Sequence, residues 1–132
     1  MAMTEELQVV TRMEHAVAIL VLTGRLNVRT YERLEAELNT LFDAGHYLVI
    51  IDMGKVEYMS SAGAGTLMNA FSQCLQNQGR LVLANVTPTV LEVLDLLNLN
   101  SVLPTTNSLE SALAELLAGG DSRQGTPATQ PP

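Results

Sequence analysis

The chain predicts an α/β domain, built as a mixed sheet of four to five strands with about four helices. Three observations carry this reading. Short apolar runs alternate along the chain with segments whose apolar residues recur at helical spacing, the pattern of parallel strands joined by right-handed crossover helices. The first two runs read instead as an antiparallel hairpin. With 132 residues, 47% of them apolar, the chain has material for one buried core and is too short for two ordinary domains.

Each element has its own signal. Leu7, Val9, Thr11 and Met13 alternate with Gln8, Val10 and Arg12, and Ala16 to Leu22 is a nearly unbroken apolar run. The second strand is therefore expected to be buried on both faces. From Tyr31, apolar residues recur at Leu34, Leu38, Leu41 and Phe42, with Thr30 as the expected N-cap and Gly45 as the stop. Tyr47 to Met53 reads as a central strand. A second helix follows Ser60 and Ser61, with Leu67, Phe71, Cys74 and Leu75 on one side and an end near Gly79. Arg80 to Asn85 supplies a strand, and Thr87-Pro88 starts a third helix, because proline fits the first helical position. Val90, Leu94 and Leu97 mark its expected buried face; Leu91, Leu96 and Leu99 exceed what one buried stripe requires and are assigned to the core, with a partner surface as the other reading. Ser101 to Leu103 is the expected edge strand, limited by Pro104. Asn107 with Glu110 resembles a capping box before a fourth helix carrying Leu109, Leu113, Leu116 and Leu117. The domain is expected over 1–118. Residues 119–132, rich in Gly, Pro, Thr, Gln and Ser, are expected to form a disordered tail.

The most informative stretch runs from Ile50 to Thr66, where an apolar strand passes through Ser60 and Ser61 into a helix. The first N–H groups of a helix lack internal partners, and the aligned peptide dipoles leave partial positive charge there. A serine oxygen satisfies one such donor, and a phosphate is held by several. Small residues follow, Ala62, Gly63, Ala64 and Gly65, which leave the hydroxyls unscreened. From spacing alone a helix cap fits at least as well as a phosphate acceptor.

Tyr58-Met59-Ser60-Ser61-Ala62-Gly63-Ala64-Gly65, following an aspartate at the end of a strand, resembles the signature of the STAS domain family. Thr23-Gly24-Arg25-Leu26-Asn27 resembles the Gly-x-Leu-Asp turn before that family's first helix. The similarity spans roughly residues 7 to 118. It implies a single-domain STAS-like fold and, since the best-known members are bacterial anti-sigma factor antagonists, a protein that binds an anti-sigma factor acting as a serine kinase and frees a sigma factor. Ser61 then stands at the phosphorylated position, and a phosphatase is a further implied partner. The surface around it, Asn27, Ser60, Ser61, Ala62, Gly63 and Ala64, is the expected partner site. Family antagonists often carry aspartate at the positions of Asn27 and Ser60. That difference keeps a second reading open, a STAS accessory or scaffold subunit of a transporter or signalling assembly, without a phosphorylation cycle.

Other chemistries find little support in the residues. Gly63 and Gly65 match half of a dinucleotide fingerprint, but Met68 stands where a third glycine belongs. A serine-hydrolase elbow needs glycine two residues before the nucleophile, where Met59 stands, and the only histidines, His15 and His46, fall in expected turns. Catalysis, a metal site and a cofactor are therefore not expected. Cys74 lies on an apolar stripe and is expected in the core, not as a reactive thiol. A net charge of −7 without a basic run argues against direct binding to nucleic acid or anionic membrane and for a protein partner. One cysteine, an acidic N-terminus and no long apolar stretch lead to the expectation of a soluble, cytoplasmic protein. Asn27 most simply serves its own turn. Ser61→Ala is expected to cost about 1 kcal/mol through a lost cap.

Overall fold

The computed structural model describes residues 6–122. In chain order the elements are β1 (Leu7–Glu14), β2 (Val17–Leu26), α1 (Tyr31–Asp43), β3 (Leu48–Met59), α2 (Ser61–Gln76), β4 (Arg80–Ala84), α3 (Pro88–Leu96), β5 (Thr105–Thr106) and α4 (Leu109–Ser122). The five strands lie side by side in sequence order, β1 antiparallel to β2 and all later pairs parallel. The expected mixed sheet with four helices is what forms.

Because the three crossovers step along the sheet in one direction with one hand, α1, α2 and α3 fall on the same face. Their buried residues, Leu34, Leu38, Leu67, Ala70, Cys74, Val90 and Leu94, pack with Leu20, Leu22, Ile51, Met53 and Leu83. The alternate strand residues Val17, Ile19, Ile50, Val82 and Ala84 point the other way, onto Ala112 and Leu116 of α4. Both faces of the central strands are covered, which is why they read as unbroken apolar runs.

The turns have local causes. His15 and Ala16 both take positive φ, 52° and 70°, the geometry of a two-residue hairpin loop, so Ala16 belongs to the turn and β2 begins at Val17. Gly45, at φ 87°, ends α1: its N–H bonds Phe42 O and that of His46 bonds Leu41 O, both at 2.9 Å. This pair of backward bonds is a Schellman ending. At the end of α2 the left-handed residue is Gln78, φ 60°, and Gly79 is required for another reason. A Cβ there would lie 2.1 Å from Tyr47 O.

Several expectations are corrected. β3 runs six residues past Met53, to Met59, and β2 continues through Gly24 to Leu26 where a turn was expected. Breaks in register between Val21 and Thr23 and between Gly24 and Arg25 disturb the period-two burial pattern, which hides the extension from sequence. Thr30 holds the N-cap position without a side-chain cap bond. The edge strand is Thr105–Thr106, after Pro104 instead of before it, since proline has no N–H and the ladder there uses Pro104 O, which accepts from Leu83 N. Ser108, not Asn107, caps α4: its Oγ accepts from Ser111 N at 3.0 Å. Leu75, Leu91, Leu96, Leu97 and Leu117 are exposed, while Leu99 does pack against the core. α4 continues to Ser122, four residues past the domain end placed at 118. The rest of the expected tail, 123–132, lies outside the described residues.

Candidate functional site

The extended end of β3 builds the site. Leu26 pairs with Met59 at the last rung of the β2–β3 ladder, and Ser60 N–H donates to Leu26 O at 2.9 Å. Both Leu26 and Met59 are buried. Thus the strand-to-helix junction is anchored by one backbone bond and two core side chains, and the next residue, Ser61, opens α2.

Ser60 and Ser61 have separate roles. Ser60 is the N-cap, with extended backbone, and its hydroxyl oxygen accepts from Gly63 N at 3.4 Å. Ala64 N–H reaches Ser60 O at 3.0 Å, the first helical bond. Ser61 occupies the first helical position and is exposed. Its hydroxyl has no hydrogen-bond partner among the described residues. A cap cost of about 1 kcal/mol therefore belongs to Ser60, not Ser61. No acidic side chain stands in the first turn of α2, so nothing on the helix itself offsets the positive end of its dipole.

Of the other expected contact residues, Ala62 is half-buried, whereas Gly63 and Ala64 are buried. Gly63 is small for the sake of packing. A Cβ on it would stand 2.6 Å from Leu26 Cγ and 2.9 Å from Leu26 O. Gly65 has nothing within 4 Å of such a Cβ.

Asn27 sits beside the junction, half-buried, in the turn between β2 and α1. Its Oδ1 accepts from Arg29 N at 2.9 Å and lies 3.2 Å from Thr30 Oγ1. Thr30 Oγ1 also takes the Asn27 N–H at 2.9 Å and donates to Arg25 O at 2.7 Å. Thr30 thus serves the turn before the helix, which explains its missing cap bond. The turn role expected of Asn27 holds, and it also places Asn27 next to the residue that bonds Ser60.

Sequence reasoning missed Arg25, Val28, Arg29 and Tyr58 on this rim. Val28 is 69% exposed and Tyr58 44%. The available signal was an aromatic residue opening the first motif, Tyr58, and an apolar one just after the second, Val28, in a chain with 4% aromatics. Cys74 is buried, and that burial pushes its thiol up to about 12, so it is an inert core residue. Among the described residues no cluster of three metal-ligating side chains forms, and no helix is long and apolar enough to cross a membrane.

The fold and this junction define a small α/β domain whose strand-to-helix turn displays one serine. A model of the STAS domain matches residues 8–112, and the chain belongs to that family. A Bordetella bronchiseptica protein named "Putative anti-sigma factor antagonist BtrV" is 40% identical over 96 residues, which cover 73% of this chain and 83% of that protein. Among solved structures, an anti-sigma factor antagonist from Mycobacterium paratuberculosis superposes with a TM-score of 0.79 at 17% identity, covering 89% of this chain and 99% of its own. The Bacillus cell fate determinant SpoIIAA in its phosphorylated form gives a TM-score of 0.65 at 21% identity, covering 82% and 98%. The two structures share the fold.

Proposed function

We propose that this protein is an anti-sigma factor antagonist, which binds an anti-sigma factor with serine kinase activity through the surface around Ser61 and is released when Ser61 is phosphorylated. A phosphatase would reset it. The observation that carries the reading is the exposed Ser61 hydroxyl at the dipole-positive start of α2, beside a neighbour, Ser60, that already does the capping. The name of the Bordetella bronchiseptica relative supports the class, and the existence of a phosphorylated form of a protein with this fold supports the switch.

The energetics are adequate. A phosphoserine carries about −1.5 to −2 charges, which the helix start tolerates or favours by up to about 2 kcal/mol. An interface closed over that charge without compensation loses about 3 to 5 kcal/mol, against about 5.5 kcal/mol for full reversal of a bound population. The test is incubation with candidate anti-sigma kinases and ATP, followed by mass-spectrometric localisation of phosphate. Modification at Ser61, constitutive binding by Ser61→Ala and weak binding by Ser61→Asp are expected. Phosphate on Ser60 instead, or full-strength binding by Ser61→Asp, would refute the mechanism. Capture of a membrane ATPase in place of a soluble kinase would favour an accessory subunit.

A further inference from the structure

The rim that carries Ser61 also holds a charged cleft. Gly24, at φ 117°, brings the backbone of Glu6 so close that a Cβ would lie 2.1 Å from Glu6 O, and Arg25 N–H bonds that same oxygen at 2.7 Å. An open cavity of about 310 Å³ results, lined by Glu6, Arg25, Asn27, Arg29 and Tyr58. The Arg25 guanidinium lies 5.9 Å from the centre of the Tyr58 ring. Arg29 Nη2 is 3.2 Å from Glu6 Oε2, and its side chain is 76% exposed. Among the described residues Arg25 has no carboxylate partner. The Ser60 N–H bonds the carbonyl of Leu26, between Arg25 and Asn27 in the chain, so the helix bearing Ser61 starts at the edge of this cleft.

We infer that the cleft is the basic half of the docking surface and receives an acidic segment of the protein partner. The inference rests on the function proposed above and adds the partner's chemistry to it. Guanidinium groups match carboxylates in a planar fork, and an aromatic face under Arg25 holds its fork in place. Glu6 shows that a carboxylate seats here, the chain supplying one of its own. On a body of net charge −7 an acidic segment is repelled elsewhere and steered to this rim. Two arginines are too few for an anionic membrane or nucleic acid, which need clusters of about four to eight cations. A phosphate on Ser61 would place about −1.5 to −2 charges beside them, cancelling the attraction for an acidic partner.

Two measurements test this on the full chain. In the first, the ¹⁵N-labelled protein is titrated with an octaglutamate peptide at low salt. Amide shifts are expected at Arg25, Asn27, Arg29 and Tyr58, abolished by Arg25→Glu with Arg29→Glu and strengthened about two- to threefold by Glu6→Gln, the size of one exposed ion pair. Shifts centred on Arg12 or Arg80, or none, overturn the inference. In the second, affinity for the anti-sigma kinase should fall at least tenfold in the doubly reversed variant, with little change in Arg12→Glu and a normal circular dichroism spectrum in both. A kinase that binds wild type and the reversed variant equally also overturns it. If no kinase binds wild type while the peptide maps to the cleft, the function reading fails and the acidic-ligand site stands.

Discussion

The two glycines after Ser61 look alike in sequence, and the structure separates them by sign. Gly63 is pressed against the end of β2, so the methyl of Gly63→Ala would stand 2.6 Å from Leu26 Cγ and 2.9 Å from Leu26 O. The side chain can move, but the carbonyl is backbone and already accepts the Ser60 N–H. Overpacking of this kind costs about 1–3 kcal/mol, partly offset by about 0.8–1 kcal/mol of helix propensity gained over glycine. The expected net loss is about 1 kcal/mol. Gly65→Ala meets open space and should gain about 0.5–1 kcal/mol. The two variants should thus differ by about 2 kcal/mol, or about 8 °C in Tm for a domain of this size. Urea and thermal unfolding followed by circular dichroism measure this directly. Hydrogen exchange adds a local readout, since the Ser60 amide should exchange faster in Gly63→Ala alone. Equal stability of the two alanine variants would show that the α2 start does not depend on contact with Leu26, and the account of how Ser61 is positioned would fail with it.

Ser60→Ala should cost about 1 kcal/mol and Ser61→Ala less than about 0.5 kcal/mol, because only Ser60 caps α2; denaturant midpoints decide between them. Leu94→Ala, in the core under α3, should lose about 2–5 kcal/mol, whereas Leu96→Ala at 78% exposure should stay within about 0.5 kcal/mol. Burial raises the Cys74 thiol from 9.0 to about 12, so between those values the unfolded chain releases a proton that the folded one keeps. Stability should fall there as pH rises, with a slope of up to about 1.4 kcal/mol per unit from this group. Cys74→Ala should remove that part of the slope in unfolding curves taken between pH 9 and 11.

How far the site was legible varies residue by residue. Ser60 and Ser61 stood out because a helix start has a chemistry that short polar side chains answer, and that chemistry is local. Gly63 and Ala64 were assigned to the partner surface as neighbours of Ser61; in the fold Gly63 makes room for Leu26 and Ala64 lies in the core. The cleft escaped notice because Glu6, Arg25 and Tyr58 are distant in sequence and meet only through the β1–β2–β3 ladder and the close approach at Gly24. Exposed leucines on α3 were placed in the core since period alone does not say how wide a stripe the neighbouring elements cover.

By itself the sequence determined the alternation of strands and helices, the opening hairpin, the two-sided burial of the central strands and the serine at the start of α2. Those depend on side-chain periodicity and on capping chemistry, which act over a few residues. Only the tertiary structure decided that β2 and β3 run on together past two breaks in register, which serine caps and which is displayed, and that two arginines share a cleft with Glu6 and Tyr58. These are outcomes of pairing between distant segments, where a one-residue shift in register changes which side chains meet.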